Sequence, residues 1–428
     1  MIFDATPRAR SFHLVKNDLK MLISSLIPLS RNQYYRLFNK TKLCIDQYLP
    51  YLSKKCEFDL YPYARTALYC LIKSLNLPNN SEVIISGSHI TPYLNIIRSL
   101  NLKPVIVDIE QNTFCIDKDS LKSCITSKTK IVIITYLFGL VPDIRSILSC
   151  IPKDTFIIED ISQSIGAKNS DGYLGNFGNA SIISTSFGKY IDGSGGAILF
   201  IKNKFDKKLV KSFKNSLIKK SNFLINFKRQ YRPALLNILT SSKIYPFLHI
   251  IITFLERFNI LSFKRFGASK NIQFKEYKPL PNFYFQEISP HSMRFIIDEL
   301  PKLNSRISYR LNQVETVFKG LDPSYGFKAD KLQNDADKGI INTYWQLVIK
   351  APTNKTRSKL LPLGIETSCT NLSNLFDFLT KSEHKNNSLL TSKEGTSFLY
   401  KNTIFFPLSE NISSRKLKKN LNIFNSVI

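Results

Sequence analysis

Thr155-Phe156-Ile157-Ile158-Glu159-Asp160-Ile161-Ser162-Gln163 and Ala180-Ser181-Ile182-Ile183-Ser184-Thr185-Ser186-Phe187-Gly188-Lys189 are the stretches on which the fold turns. Each begins as a β-rich apolar run and closes in polar residues. Continuous runs of this kind suit strands covered on both faces, the habit of parallel sheets. Similar runs recur at 83–86, 104–108, 130–134 and 196–200. Between several of them lie helix-length segments at 66–75, 92–100 and 117–125. The alternation predicts an α/β fold with a mainly parallel central sheet and helices on both faces. Ligands of such sheets sit beyond the carboxyl ends of the strands. That singles out Asp108, Asp160 and Ser184.

Eight of the 16 glycines fall between 166 and 196, a density that signals close backbone approach or unusual dihedrals. No G-x-G-x-x-G follows a strand, and Gly188-Lys189 is followed by Tyr190 rather than Ser or Thr. Dinucleotide and Walker-type phosphate loops are therefore excluded. What remains is a carboxylate at a strand end, a lysine 29 residues on, and hydroxyls between them. A lysine whose pKa is depressed can act as a Schiff-base nucleophile. A carboxylate in the same pocket can hold a pyridinium nitrogen protonated. On the bare pattern alone, a solvated ion pair is the commoner reading of such a pair.

At this point the chain resembles the DegT/DnrJ/EryC1/StrS sugar aminotransferases, which adopt the aspartate-aminotransferase fold. Glu159-Asp160-Ile161-Ser162-Gln163 is similar to the family's E-D-x-A-Q motif. Ser184 to Gly196 resembles its F-S-F-x-x-x-K-x-x-x-x-x-G-G from the Ser onward. Arg65-Thr66-Ala67-Leu68 looks like the helix start under the cofactor phosphate, and Phe138-Gly139 matches an H-l-f-G position. Asn342-Thr343-Tyr344-Trp345-Gln346-Leu347 looks like the small-domain strand of a divergent branch, with Tyr344 in place of a His. The resemblance implies pyridoxal 5'-phosphate as cofactor and Lys189 as the Schiff-base lysine. It implies Asp160 on the pyridine nitrogen and Gln163 on the ring hydroxyl face. Ser184, Arg65 and the amide of Thr66 fall to the phosphate end, where a helix N-terminus favours anions. In the loop Ser86-Gly87-Ser88-His89-Ile90-Thr91-Pro92, His89 is the candidate to stack on the ring; the alternative is a hydrogen-bonded loop histidine. Trp345, the sole Trp, reads first as a core residue.

The expected reaction is amine transfer from an amino acid donor to a nucleotide-linked or lipid-linked keto sugar in glycan biosynthesis. A dehydratase or lyase using the same cofactor is the near alternative. In that branch histidine replaces the lysine, so Lys189 favours transamination. The resemblance also implies a homodimer.

The 428 residues divide, on this reading, into a large domain at 1–270 and a small α+β domain at 271–428. The charge stands apart: 60 Lys and Arg against 32 Asp and Glu, a net +28. Between Lys202 and Arg232 there are eleven Lys/Arg and one acidic residue, Asp206, interleaved with aromatics; an apolar stretch follows at 244–255. The segment 202–266 reads as a basic amphipathic insert. It could be a solvated helix pair, a peripheral contact with an anionic membrane, or an enzyme-like fold used mainly for surface binding. No RRM, KH or helix-turn-helix signature supports specific nucleic-acid binding. Seven cysteines without C-x-x-C spacing and five histidines without ligand spacing predict no disulfide framework and no catalytic metal. The charged stretch 1–20 lacks a signal-peptide core, and a cytoplasmic protein is expected.

Overall fold

The computed structural model describes residues 5, 15–24, 27, 29–202, 207–221, 223–241, 243–257, 280–322, 331–367, 370, 372–379, 393–410 and 412–427. Seven strands make the central sheet: β1 (Cys56–Tyr61), β2 (Glu82–Ser86), β3 (Lys103–Val107), β4 (Thr129–Thr135), β5 (Phe156–Asp160), β6 (Ala180–Ser184) and β7 (Ala197–Lys202). Their order is β1-β7-β6-β5-β4-β2-β3, and only β7 runs against its neighbours. The six strands expected from the sequence are all present, each shifted by one or two residues at most. The edge strand β1 was not foreseen. Its sequence, Cys-Glu-Phe-Asp-Leu-Tyr, mixes charge into the run, as an edge exposed on one side tolerates.

Period-two alternation splits the sheet's side chains between two cores. Val132 and Ile134 of β4 pack on one face with Val105, Val107 and Ile183. Ile131 and Ile133 pack on the other with Val83, Ile85, Ile158 and Ile182. Burying a side chain of this size contributes about 1.5–3 kcal/mol, which makes the Val/Ile runs the main stabilising element. Into the first core also reach Met293 and Ile296 from the helix Pro290–Glu299, and Leu303 and Ile307 from the helix Leu303–Gly320.

Further along, β8 (Leu347–Lys350) pairs antiparallel with β9 (Thr403–Phe406). Val314, Val317 and Phe318 cover them together with Leu417, Leu421 and Phe424 of the helix Ser414–Val427. Two ties fasten this layer to the large sheet. Ser373–Asn374 pairs with Ser88–His89, placing Ser373 opposite His89. The second tie is Asp108. Its carboxylate accepts from the amides of Gly395 (2.9 Å) and Thr396 (2.8 Å) and from the Thr396 hydroxyl (2.7 Å). Asp108, expected among the strand-end ligand residues, is thus the cap of the helix Glu394–Lys401. Gly395 lies so close to the chain that an added Cβ would stand 1.6 Å from the Ile109 carbonyl oxygen.

The basic insert forms three helices, Lys207–Leu217, Phe223–Leu239 and Tyr245–Arg257. Residues 203–206, 222, 242 and 258–266 of it, including Phe263-Lys264-Arg265-Phe266, lie outside the described residues. Among the described residues no helix is long and apolar enough to cross a membrane.

Candidate active site

The carboxyl ends of β4, β5 and β6 open into a cavity of about 220 Å3. Lys189, Asp160, Gln163, Ser184, Ser186, Arg65 and His89 all line it. The residues that sequence reasoning drew together therefore meet, with two exceptions, Asp108 and Thr66.

Asp160 is the last residue of β5, opposite Thr135 and Ile182 in register. Its neighbour Glu159 points the other way, as the pleat demands. Glu159 is fully buried and accepts from the Tyr136 hydroxyl (2.7 Å) and the amides of Gly175, Phe177 and Gly178. Four donors hold that carboxylate in place, although burial still pushes its pKa up. The E-D pair thus divides labour: Glu159 pins the strand end and Asp160 faces the cavity. Asp160 in turn accepts from the Tyr93 hydroxyl (3.0 Å) and the Ser162 amide (3.0 Å).

His89 lies beside it. The Ile90 amide donates to its Nδ1 at 2.8 Å, which assigns the ring proton to Nε2. Nε2 stands 3.9 Å from Asp160 Oδ2 and makes no hydrogen bond in the buried ring's surroundings. Burial pulls the imidazole down to about 4, against the opposing pull of Asp160, so the ring is neutral. The rings of His89 and Tyr93 are 4.2 Å apart between centroids.

Lys189 enters from the turn after β6. Asp192 fixes this turn, accepting from the amides of Gly188 (2.9 Å) and Ser194 (2.9 Å). From outside, Arg306 donates to the Tyr190 carbonyl (3.0 Å) while pairing with Glu299 and Glu410. Desolvation lowers the Lys189 amine to about 8, with the Asp160 charge pulling upward. Its Nζ sits 4.1 Å from the Trp345 ring centroid, and Trp345 Nε1 donates to the Gly188 carbonyl (2.9 Å). Trp345 packs partly on the core, as its first reading had it, yet it also walls in the lysine.

The Phe138-Gly139 turn explains how Trp345 arrives. Gly139 has φ +83°, and a Cβ there would come within 2.5 Å of the Tyr344 nitrogen and 2.6 Å of the Trp345 nitrogen. Only glycine admits that approach. The Gly139 carbonyl accepts from the Thr343 amide (2.7 Å), and the Phe138 amide donates to Gln163 Oε1 (2.9 Å). The Gln163 oxygen is thereby engaged; what it can offer the cavity is its NH2 group.

At the far end stands the start of the helix Ala64–Ser74, whose N-cap Tyr63 provides no side-chain cap. The amides of Thr66 and Ala67 both donate to the Tyr63 carbonyl. Thr66 is fully buried, and its hydroxyl donates to the Tyr284 carbonyl (2.6 Å). The expectation that the Thr66 amide meets a phosphate is corrected: that amide, third in the helix, is already spent on the Tyr63 carbonyl. Ala64 and Arg65 precede the first intrahelical donor and line the cavity instead. The Arg65 guanidinium lies over Tyr63 and Tyr284. Ser184 Oγ donates to Ser186 Oγ (3.1 Å), and the Ser184 amide donates to Ser162 Oγ (2.8 Å). Two participants were missed in the sequence, Tyr93 and Trp345. Tyr93 carried a faint signal, since it follows one helical turn after the His89 loop.

Among the described residues no group of His, Cys, Asp and Glu is placed to hold a metal ion.

Residues 64–227 match the DegT/DnrJ/EryC1/StrS aminotransferase family. The chain is 30% identical over 162 residues to a pleiotropic regulatory protein of Geobacillus stearothermophilus, which covers 34% of this chain and 43% of that one. It is 28% identical over 155 residues to the GDP-perosamine synthase of Escherichia coli O157:H7, with the same two shares. The chain thus spans less than half the length of the curated relatives it matches. Over nearly the whole molecule, 98% of this chain and 99% of the other, the fold is that of the E. coli GDP-4-keto-6-deoxy-D-mannose-3-dehydratase with bound hydrated PLP, at TM-score 0.63 and 16% identity.

Proposed function

We propose that the chain is a pyridoxal phosphate-dependent aminotransferase acting on a nucleotide-linked or lipid-linked keto sugar, with an amino acid as donor. One observation carries the reading: the Lys189 amine and the Asp160 carboxylate, from the ends of two different strands, line one cavity. The residues present fit the cofactor. An uncapped helix start, Arg65 and two serine hydroxyls gather at one end, as an anion requires. At the other, the buried His89 Nε2 has no hydrogen-bond partner and lies against a carboxylate.

When bound, the cofactor supplies an electrophilic carbonyl and a ring that accepts the electron pair left when a carbon loses its proton. The protein supplies the rest. Asp160, held by Tyr93 and Ser162, keeps its charge aimed at a protonated ring nitrogen. The Ala64 and Arg65 amides, the Arg65 guanidinium, Ser184 and Ser186 hold the phosphate. His89, neutral and buried, would stand against the ring without adding a positive charge beside its nitrogen. Gln163 offers its NH2 to the ring hydroxyl face. Lys189, at about 8, has a neutral fraction large enough to attack a carbonyl and then to take and return a proton at carbon. Trp345 restricts where that amine can swing.

Lysine rather than histidine at 189 favours amine transfer over water elimination. The reading also carries a homodimer, and a reducing compartment such as the cytoplasm, with which the six free cysteines among the described residues agree. The test is spectroscopic and chemical. Protein reconstituted with the cofactor should show near-visible Schiff-base absorbance, erased by borohydride and missing in Lys189→Ala. Glutamate or another donor should then move nitrogen to a nucleotide-linked keto sugar. Absorbance that survives in Lys189→Ala sinks the assignment.

A further inference from the structure

The helix Tyr245–Arg257 has two unlike faces. Tyr245, His249 and Ile252 are buried. Tyr245 donates to Glu366 (2.7 Å), and His249 Nε2 lies 2.9 Å from the Leu361 carbonyl oxygen, so this face is docked on the chain's later layer. The opposite face presents Phe247, Ile250, Ile251 and Phe254, which are 60%, 39%, 55% and 56% exposed. Their spacing is i, i+3, i+4, i+7, one stripe of a helix. A tight turn, in which the Tyr245 amide donates to the Ser241 carbonyl, joins it to the helix Phe223–Leu239. There Leu224, Tyr231, Leu235 and Leu236 are exposed as well. Scattered apolar residues on a surface need no explanation, but a stripe of large ones does.

The charge around the stripe selects its partner. From 207 to 255 the chain has ten Lys/Arg and no Asp/Glu. Lys228, Arg232 and Lys243 of this segment are exposed. A second copy would bring the same positive segment against this one. Nucleic acid would satisfy the cations and leave Phe247 and Phe254 facing a polar backbone. A surface that is anionic outside and hydrocarbon just beneath answers both features, as interfacial helices do.

We propose that the stripe Phe247-Ile250-Ile251-Phe254, carried by a strongly basic segment, seats the protein on an anionic lipid surface. The inference does not depend on the cofactor reading. The experiment uses full-length, cofactor-loaded protein and sedimentation with vesicles of phosphatidylcholine, with and without phosphatidylglycerol. Binding should need phosphatidylglycerol, hold at low salt and fade at high salt. F247S/I250S/I251S/F254S should bind at least about ten-fold more weakly. K228Q/R232Q/K243Q should lose on the order of 100-fold, at about five-fold per charge removed. Both variants should keep the wild-type circular dichroism spectrum and melting temperature, which shows them folded and separates this test from that of the enzyme.

Wild-type protein that ignores phosphatidylglycerol at low salt overturns the proposal. So does an apolar variant that binds vesicles like wild type. A variant that turns a dimer into a monomer assigns the stripe to a second copy, and equal affinity of wild type for duplex DNA assigns the charge to nucleic acid; either outcome overturns it too.

Discussion

The Lys189 amine is held at about 8 by desolvation while Asp160 pulls it upward. An ordinary lysine at 10.5 is neutral in about one molecule in 3,000 at pH 7, whereas one at 8 is neutral in about one in ten. The cavity therefore raises the reactive fraction by roughly 300-fold. Competitive labelling of cofactor-free protein with a trace amine reagent, read at the Lys189 peptide by mass spectrometry, gives the titration directly. The midpoint should fall near 8. In Asp160→Asn the upward pull vanishes, so the midpoint should drop further, on the order of half to one pH unit. The sign follows for stability also. Between about 8 and 10.5 the unfolded chain binds the proton that the folded chain sheds, so stability rises with pH across that window. Lys189→Met should flatten the rise. A midpoint near 10, or a rise in Asp160→Asn, would refute the claim that burial and one carboxylate set this amine.

Other expectations concern its surroundings. Tyr93→Phe removes a buried donor to Asp160 and should cost about 1.5–3 kcal/mol in urea unfolding, with weaker cofactor retention on dialysis. His89 at about 4, against 6.5 unfolded, makes the unfolded chain the better proton binder between those values, so stability falls as pH drops through that window. His89→Phe should shallow that acid limb. Glu159→Leu strands four buried donors and should cost at least about 3 kcal/mol, measured by thermal unfolding. Gly395→Ala drives a methyl into the Ile109 carbonyl; loss of the Glu394–Lys401 helix should appear as early amide exchange there.

The parallel strands were legible because burial on both faces writes an unbroken Val/Ile run into the chain. Asp160 was legible because strand ends are where open sheets do chemistry, and Lys189 because the stretch from Ser184 to Gly196 resembles a family motif. What escaped was set by contacts between distant segments. Asp108 looked like a ligand residue until the Gly395 and Thr396 amides reached it from the far end of the chain. Trp345 looked like core because nothing local reveals that Gly139 lets it approach Lys189. The misplacement of Thr66 was an error of one or two residues: the free amides of a helix lie ahead of its first bonded donor, at Ala64 and Arg65.

The pairing of Ser373 with His89 carries a mechanical implication. The Leu375 amide also donates to the Gly87 carbonyl (2.8 Å), and Leu372 lines the cavity just before the paired strand. The backbone that carries the imidazole is thus clamped by a segment contributed from the last sixth of the polypeptide. Any swing of that segment, whether from substrate closing down or from a grafted loop, tilts the His89 ring with it, so changes to the chain's late sequence will be felt at the aromatic lid of the pocket.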